Sequence, residues 1–134
     1  MSTTSPTQRT LAGCRSLGWQ AAVVEKWNPH AYIRQDLFGC IDILCLLPTC
    51  GGVTGIQATT GTNVAARCAK IEANPLMVRW LRAGNRLFVV GWRKVGERGK
   101  RKTWQARWVE ALCEEKYGKP PEIGWREHGE GVHL

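Results

Sequence analysis

Glu25, Asp36 and Asp42 are the only acidic residues in the first 71 positions of the chain. Glu25 and Asp42 lie beside apolar, strand-like runs, where a carboxylate is costly unless something pairs with it. Gln57, Ala58 and Thr59 follow beyond a Gly51-Gly52 turn, and Lys70 comes later still. Oxygen donors suit a hard cation such as Mg²⁺ or Mn²⁺. Asp42 offers a carboxylate, Gln57 an amide oxygen, Ala58 a backbone carbonyl, and Glu25 a second carboxylate if its strand runs alongside. A cation held there would polarise a phosphoryl oxygen and acidify an attacking water. Each residue also has a plain structural reading: Asp42 as a strand-end acid bonded to backbone N–H groups or an arginine, Gln57 as a satisfied buried amide. Asp36 is a further candidate ligand, or a loop acid paired with Arg34. Lys70 reads equally as a solvated helix position.

The elements that must position these groups can be sketched from patterning. Thr7 to Leu17 carries Leu11, Cys14 and Leu17 at helical spacing, with Gly18 at its end. Trp19 to Trp27 reads as a strand, with a helix as the alternative, and Asn28-Pro29 ends either. His30 to Phe38 reads as a loop. Cys40 to Leu47 is apolar on both faces except at Asp42, which predicts a central strand covered on both sides. Val53 to Thr59 predicts the returning strand of a hairpin. With a loop centred near Cys50, opposed residues have numbers summing to about 100, which sets Asp42 against Gln57 to Thr59. Gln57 and Thr59 share a face because strand side chains alternate. The register decides whether Asp42 joins them. Thr62 or Asn63 caps a helix to Glu72, with Asn63, Arg67 and Lys70 on one face. Asn74-Pro75 starts another helix, ended by Gly84. Arg86 to Arg93 and Trp104 to Leu112 read as paired strands joined by a basic loop, although Trp104, Trp108 and Leu112 also fit a helix stripe. This predicts an α/β domain over residues 1–112, in the order α-β-β-β-α-α-β-β. Residues 113–134 read as an irregular acidic tail.

Charge points to a partner. The 134 residues carry a formal net charge of +8, which favours a polyanion, nucleic acid before membrane. The first 112 residues hold 16 Lys and Arg against six acids. Arg67, Arg79, Arg82, Arg93, Lys94, Arg98, Lys100, Arg101 and Lys102 are the candidate phosphate contacts, which give affinity and salt dependence but little sequence readout. Trp92, Trp104 and Trp108 could stack on unpaired bases or pack in the core. There is no apolar run long enough for a transmembrane helix, and residues 1–6 lack the pattern of a secretory signal. The six cysteines include no C-x-x-C pair. The expectation is free thiols in a reducing cytoplasm rather than disulfides or a zinc site.

Taken together, these segments resemble the PD-(D/E)XK nuclease superfamily. They come closest to small Holliday-junction-resolvase-like proteins of phages and bacteria. The residues that carry the resemblance are Val24-Glu25-Lys26-Trp27, Arg34-Gln35-Asp36-Leu37-Phe38-Gly39 leading to Asp42, Gln57-Ala58-Thr59 followed by Asn63, Arg67 and Lys70, and Gly91-Trp92-Arg93. It spans residues 7–112. It implies a restriction-endonuclease-like core, a central mixed β-sheet flanked by helices. It also implies metal-dependent hydrolysis of phosphodiesters in branched or structured DNA, with Mg²⁺ or Mn²⁺ as cofactor, and a homodimer making paired cuts. The superfamily's acid-x-lysine is Gln57-x-Thr59 here. An amide brings no net charge to a metal, and a threonine hydroxyl orients a water without acting as a cation. Lys70 is the candidate replacement for the lysine, with Arg67 second. The alternative is a catalytically degenerate DNA-binding module on the same fold. A third reading is a protein-interaction role using the acidic tail.

Overall fold

The computed structural model describes residues 4–129. The order of elements is α1 (Pro6–Ser16), β1 (Gln20–Val23), β2 (Lys26–Asn28), β3 (Ile33–Gln35), β4 (Ile43–Leu46), β5 (Thr54–Thr60), a 3-10 turn at Gly61–Asn63, α2 (Val64–Glu72), α3 (Pro75–Arg82), β6 (Arg86–Val95), β7 (Thr103–Glu114) and β8 (Glu122–His128). Six strands form one mixed sheet in the order β1-β4-β5-β6-β7-β8, in which only the β5–β6 pair is parallel. A parallel pair needs a crossover, and α2 with α3 supplies it. Strands β2 and β3 make a separate two-stranded ribbon.

Two apolar clusters lie on opposite faces of the sheet. Leu11 and Cys14 of α1 pack with Ile43, Ile56, Phe88, Val90 and Trp108 on one face. Val64, Ile71 and Met77 of α2 and α3 pack with Leu87, Val89 and Val109 on the other. The architecture is therefore α/β, a mixed sheet between helical layers. The sequence signals behind the helices are visible locally. Ser5 caps α1 by accepting from the Gln8 N–H, and Asn74 caps α3 by accepting from the Leu76 N–H. Proline opens both helices. No helix among the described residues is long and apolar enough to cross a membrane.

Four expectations need correction. The segment expected as one strand from Trp19 to Trp27 divides between β1 and β2, because the chain leaves the main sheet at Val24. The expected loop from His30 to Phe38 contains β3, whose pairing with β2 is nucleated by Asn28. Its side-chain oxygen accepts from the His30 and Ala31 N–H groups and tightens the turn. The strand expected over Cys40 to Leu47 is shorter, Ile43–Leu46, with Ile43 and Cys45 packed on one face of the sheet and Leu44 on the other. β4 lies next to the short edge strand β1, and its Leu46 is exposed. The chain from residue 113 was expected to be irregular, yet 122–128 pairs along β7 as β8. Ile123 and Trp125 alternate onto the α2–α3 face, where they pack against the core. Residues 130–134 of that segment lie outside the described residues.

Gly91 marks the tightest approach between helix and sheet. A Cβ at this position would overlap Val64 Cγ2 at the start of α2. Gly91→Ala should push α2 off β6 and cost about 1–3 kcal/mol. A chemical denaturation midpoint equal to that of the parent would refute this.

Candidate metal centre and its cleft

Three local registers converge at one end of the sheet. The β4–β5 hairpin pairs Ile43 with Ile56, Leu44 with Gly55 and Cys45 with Thr54. The ladder ends at Ile43, the Asp42 N–H donates to the Ile56 carbonyl, and the Asp42 carboxylate is bonded by the Gln57 side chain. Asp42 therefore faces the same side as Gln57 and Thr59, the side covered by α2. A tight turn precedes it. An antiparallel bridge joins Leu37 to Ile41, which leaves Asp36 and Asp42 as the flanking pair. Phe38 and Gly39 both take positive φ there, 54° and 80°. Such a conformation is strained for the phenylalanine. On the other side the Val24 N–H donates to the Asp42 carbonyl, which brings Glu25 alongside.

The result is a cluster in which one carboxylate oxygen each from Glu25, Asp36 and Asp42 lies within 4.8 Å of the others. Asp42 is only 2% exposed. Its carboxylate accepts from the Ala58 N–H at 3.2 Å and from Gln57 Nε2 at 3.2 Å. Gln57 Nε2 also reaches Asp36 Oδ2 at 3.3 Å. Burial pushes the Asp42 pKa up to about 7, opposed by the Ala58 N–H and reinforced by the charges of Asp36 and Glu25. Two cations stand beside the cluster: Arg34 bonds Glu25 at 3.1 Å, and Lys70 Nζ lies 3.9 Å from Asp36. Arg34 thus pairs with Glu25 and not with Asp36, because the hairpin register carries Arg34 past Asp36 toward the facing strand.

These residues line a cleft of about 460 Å³, together with Thr59, Thr60, Asn63 and Arg67, and with Pro6 and Thr7 from the start of α1. Glu25, Asp42, Gln57, Ala58, Thr59, Lys70 and Arg67 are all brought together there. Asp36, read from the sequence as a further ligand or a loop acid, is a full member. Its signal in the sequence was the short Asp36 to Asp42 spacing around Phe38-Gly39. In an extended strand the N–H and C=O of one residue leave by the same edge. The Ala58 carbonyl is therefore directed toward the same edge as its N–H, on the Asp42 side.

The donor set fits a hard divalent ion. It comprises three carboxylates, one amide and one backbone carbonyl. One further atom bears on this: Gln57 is 3% exposed, and its Oε1 is buried with no hydrogen-bond partner. An amide rotated about its last torsion would present that oxygen to the carboxylates, as a bound cation would require. Buried polar atoms are rarely left alone, and this oxygen gives up no hydrogen bond to any other group when the amide turns.

The basic residues divide between the two ends of the sheet. Arg93 and Lys94 lie on the last turns of the β6 ladder, and Arg98, Lys100, Arg101 and Lys102 lie in the β6–β7 loop beyond it. Because β5 and β6 are parallel, this loop leaves from the same end of the sheet as Gln57 and Thr59. Arg79 and Arg82 sit on α3, which leads to the opposite end of β6. Arg82 is ion-paired with Glu115, just past β7, at 2.9 Å. Arg107 is paired with Glu127 at 2.6 Å. Trp108 is buried between Trp19 and Phe88. The side chains of Cys40, Cys45 and Cys50 go to three different places, against Asn74, Cys14 and Arg86.

An ion-pair network away from the cleft had no forecast in the sequence. Glu110 on β7 is buried and accepts from Arg86 through two bonds of 2.8 Å, from Arg126 at 2.8 Å, and meets His128 Nε2 at 2.9 Å. Burial opposes its ionisation, yet Arg86, Arg126 and His128 outweigh that and bring its pKa down to about 2. The network ties β8 to β7 and β6. No family model, curated protein or solved structure matches the chain.

Proposed function

We propose that this protein is a metal-dependent DNA endonuclease, resolvase-like, that hydrolyses phosphodiesters in branched or structured DNA. The observation that carries the reading is the convergence of Glu25, Asp36 and Asp42 beside the buried amide of Gln57, whose Nε2 bonds Asp36 and Asp42 and whose Oε1 has no partner, in a cleft at the end of the sheet from which the basic loop projects. Asp42, Asp36 and Glu25, with Gln57 Oε1 and the Ala58 carbonyl, would hold Mg²⁺ or Mn²⁺. The ion would supply Lewis-acid polarisation of the phosphoryl oxygen and a more acidic water. The chain's own contribution is positional. The Ala58 N–H fixes the Asp42 carboxylate, and the Thr59 hydroxyl on the same strand face is placed to orient a water. Lys70, across the cleft on α2, supplies the positive charge that Thr59 lacks. Arg67 and the loop from Arg93 to Lys102 would hold flanking phosphates. The resemblance to resolvases implies a homodimer.

The second reading, a DNA-binding module without catalysis, is favoured by one observation. Gln57 Nε2 already bonds both Asp36 and Asp42 and so can hold the cluster without a cation. A single assay separates the readings. Four-way junctions, flaps and linear duplex are offered to the protein with Mg²⁺, with Mn²⁺ and with neither. Metal-dependent cutting of branched DNA, lost in Asp36→Ala, supports the nuclease. Salt-sensitive binding with no cutting supports the module. No binding at moderate salt defeats both.

Gln57→Glu tests the ligand set directly. A carboxylate in place of the amide adds a charge where the cation would sit, so Mn²⁺ affinity at pH 8 should rise about tenfold. Calorimetric titration reads this, and unchanged affinity would remove Gln57 from the set.

A further inference from the structure

The β2–β3 ribbon stands outside both apolar clusters, yet it carries large apolar side chains in the open. Trp27 is 51% exposed, Ile33 50% and Tyr32 79%. Neither the Trp27 nor the Tyr32 ring packs against another aromatic ring among the described residues. An isolated two-stranded ribbon gains little from such exposure, and core packing does not explain it. Tyr32 also holds a positive φ of 54° at the turn. That conformation is strained for a bulky residue, and such strain gathers at functional sites.

The ribbon's register ties these rings to the cleft. Lys26 pairs with Gln35, Trp27 with Arg34 and Asn28 with Ile33. One step further back, the same register opposes Glu25 to Asp36, two of the three clustered carboxylates. Opposed residues share a face, and faces alternate along a strand. Glu25 and Asp36, then Trp27 and Arg34, therefore follow one another on a single face. Two residues along a strand span about 7 Å, roughly two rises of a stacked DNA strand. An exposed indole thus stands about two base steps from the carboxylates, beside Arg34 on the same face, with the Tyr32 phenol at the tip.

We propose that the β2–β3 ribbon is a base-stacking arm, on which Trp27 and Tyr32 take unpaired nucleobases of a DNA strand whose backbone enters the carboxylate cleft. This rests on the reading of the cleft as a DNA site and names its preference, unpaired bases beside the phosphate. Charge complementarity selects this occupant. Lys26, without an ion pair among the described residues, and Arg34, which also bonds Glu25, suit a polyanion, whereas a second copy of this chain would bring a like-charged surface of net +8.

The test is equilibrium binding without divalent ion, so that it does not depend on cleavage. Two DNAs of equal length are compared: a continuous duplex, and a duplex with a short single-stranded gap bearing 2-aminopurine. The parent should bind the gapped DNA more tightly and change the 2-aminopurine emission as the base stacks. Trp27→Ala and Tyr32→Ala should each lower affinity for the gapped DNA about tenfold, leave duplex affinity within twofold, and lose the emission change. Trp27→Phe should restore most of it. Both side chains are exposed, so the variants should melt with the parent. Equal losses on both DNAs, or parent-like preference in both alanine variants, would overturn the arm. Variants that turn a dimer into a monomer with the gap preference intact would assign the surface to a second copy and overturn it equally. If the parent binds neither DNA, the DNA reading of the cleft fails first.

Discussion

Asp42→Asn is expected to make the protein more stable and inactive at once. The side chain is 2% exposed and lies among two other carboxylates. Its charged form is therefore disfavoured, and its pKa is pushed up to about 7 by burial, against the help of the Ala58 N–H. Folding thus raises the group's affinity for a proton. Its contribution to stability is full below the ordinary carboxylate pKa of 3.8 and is lost as the pH climbs through about 7. The metal-free protein should weaken across that window. An asparagine keeps the oxygen that accepts from Ala58 and carries no charge at any pH. At pH 8 and without divalent ion, it should gain about 2 kcal/mol, or several degrees in Tm. On the proposed nuclease reading, the same change removes a charged ligand and should lower cleavage at least about a hundredfold. Differential scanning calorimetry at pH 5 and pH 8 reads the first effect. The parent should lose stability between the two, and the variant should not. An Asp42→Asn protein less stable than the parent at pH 8 would mean that the carboxylate is well compensated, and would weaken the case for a site built around a cation.

Glu110→Ala should produce the opposite, a large loss of stability. Glu110 is the shared acceptor for Arg86, Arg126 and His128. Removing it leaves the half-buried Arg86 without its two-bond partner. Breaking such a pair from one side costs about 3–5 kcal/mol, because one charge is left uncompensated. β8 would lose the anchor of Arg126 and His128 together. A loss of about 3 kcal/mol should lower Tm by roughly 10 °C. The pH dependence has the opposite sign to that of Asp42. Folding lowers this pKa from 4.5 to about 2, so its stabilisation is present above 4.5 and drains away as the pH falls toward 2. Removing both partners, as in Glu110→Leu with Arg86→Met, should recover part of the loss. A double variant no better than Glu110→Ala would show that the network contributes through packing and not through charge.

The sequence was most legible where structure is local. The β4–β5 register follows from one turn and one alternating pattern. Its observed sum, Ile43 with Ile56, lies within one residue of the expected value. The cap at Asn74 and the stop at Gly84 are equally short-range signals, and α3 begins and ends at them. Asp36 was harder to place. Its approach to Asp42 depends on Phe38 taking a left-handed conformation that its residue type disfavours, so propensity argued against the turn that makes the site. β8 was obscured for another reason. Ile123 and Trp125 do alternate, but Pro120-Pro121, the glycines and the acidic surplus around them read as irregular chain. Only a long neighbouring strand, β7, makes the pairing favourable. The Glu110 network joins three strands and has no pattern within any one of them. Arg79 and Arg82 were grouped with the other basic residues by charge alone. The parallel β5–β6 pair then separates α3 from the basic loop.

The ribbon that opposes Glu25 to Asp36, the Leu37–Ile41 turn and the β4–β5 hairpin are all short-range in sequence. Each closes a loop of modest length, and closure of such loops costs little entropy. Elements of this kind form early on the path to the native state. The expectation is that like charges gather before α2 arrives to cover them with Lys70. Protons or divalent cations in the refolding medium would screen that encounter, so the feature that defines the cleft also makes the speed of folding sensitive to ionic conditions.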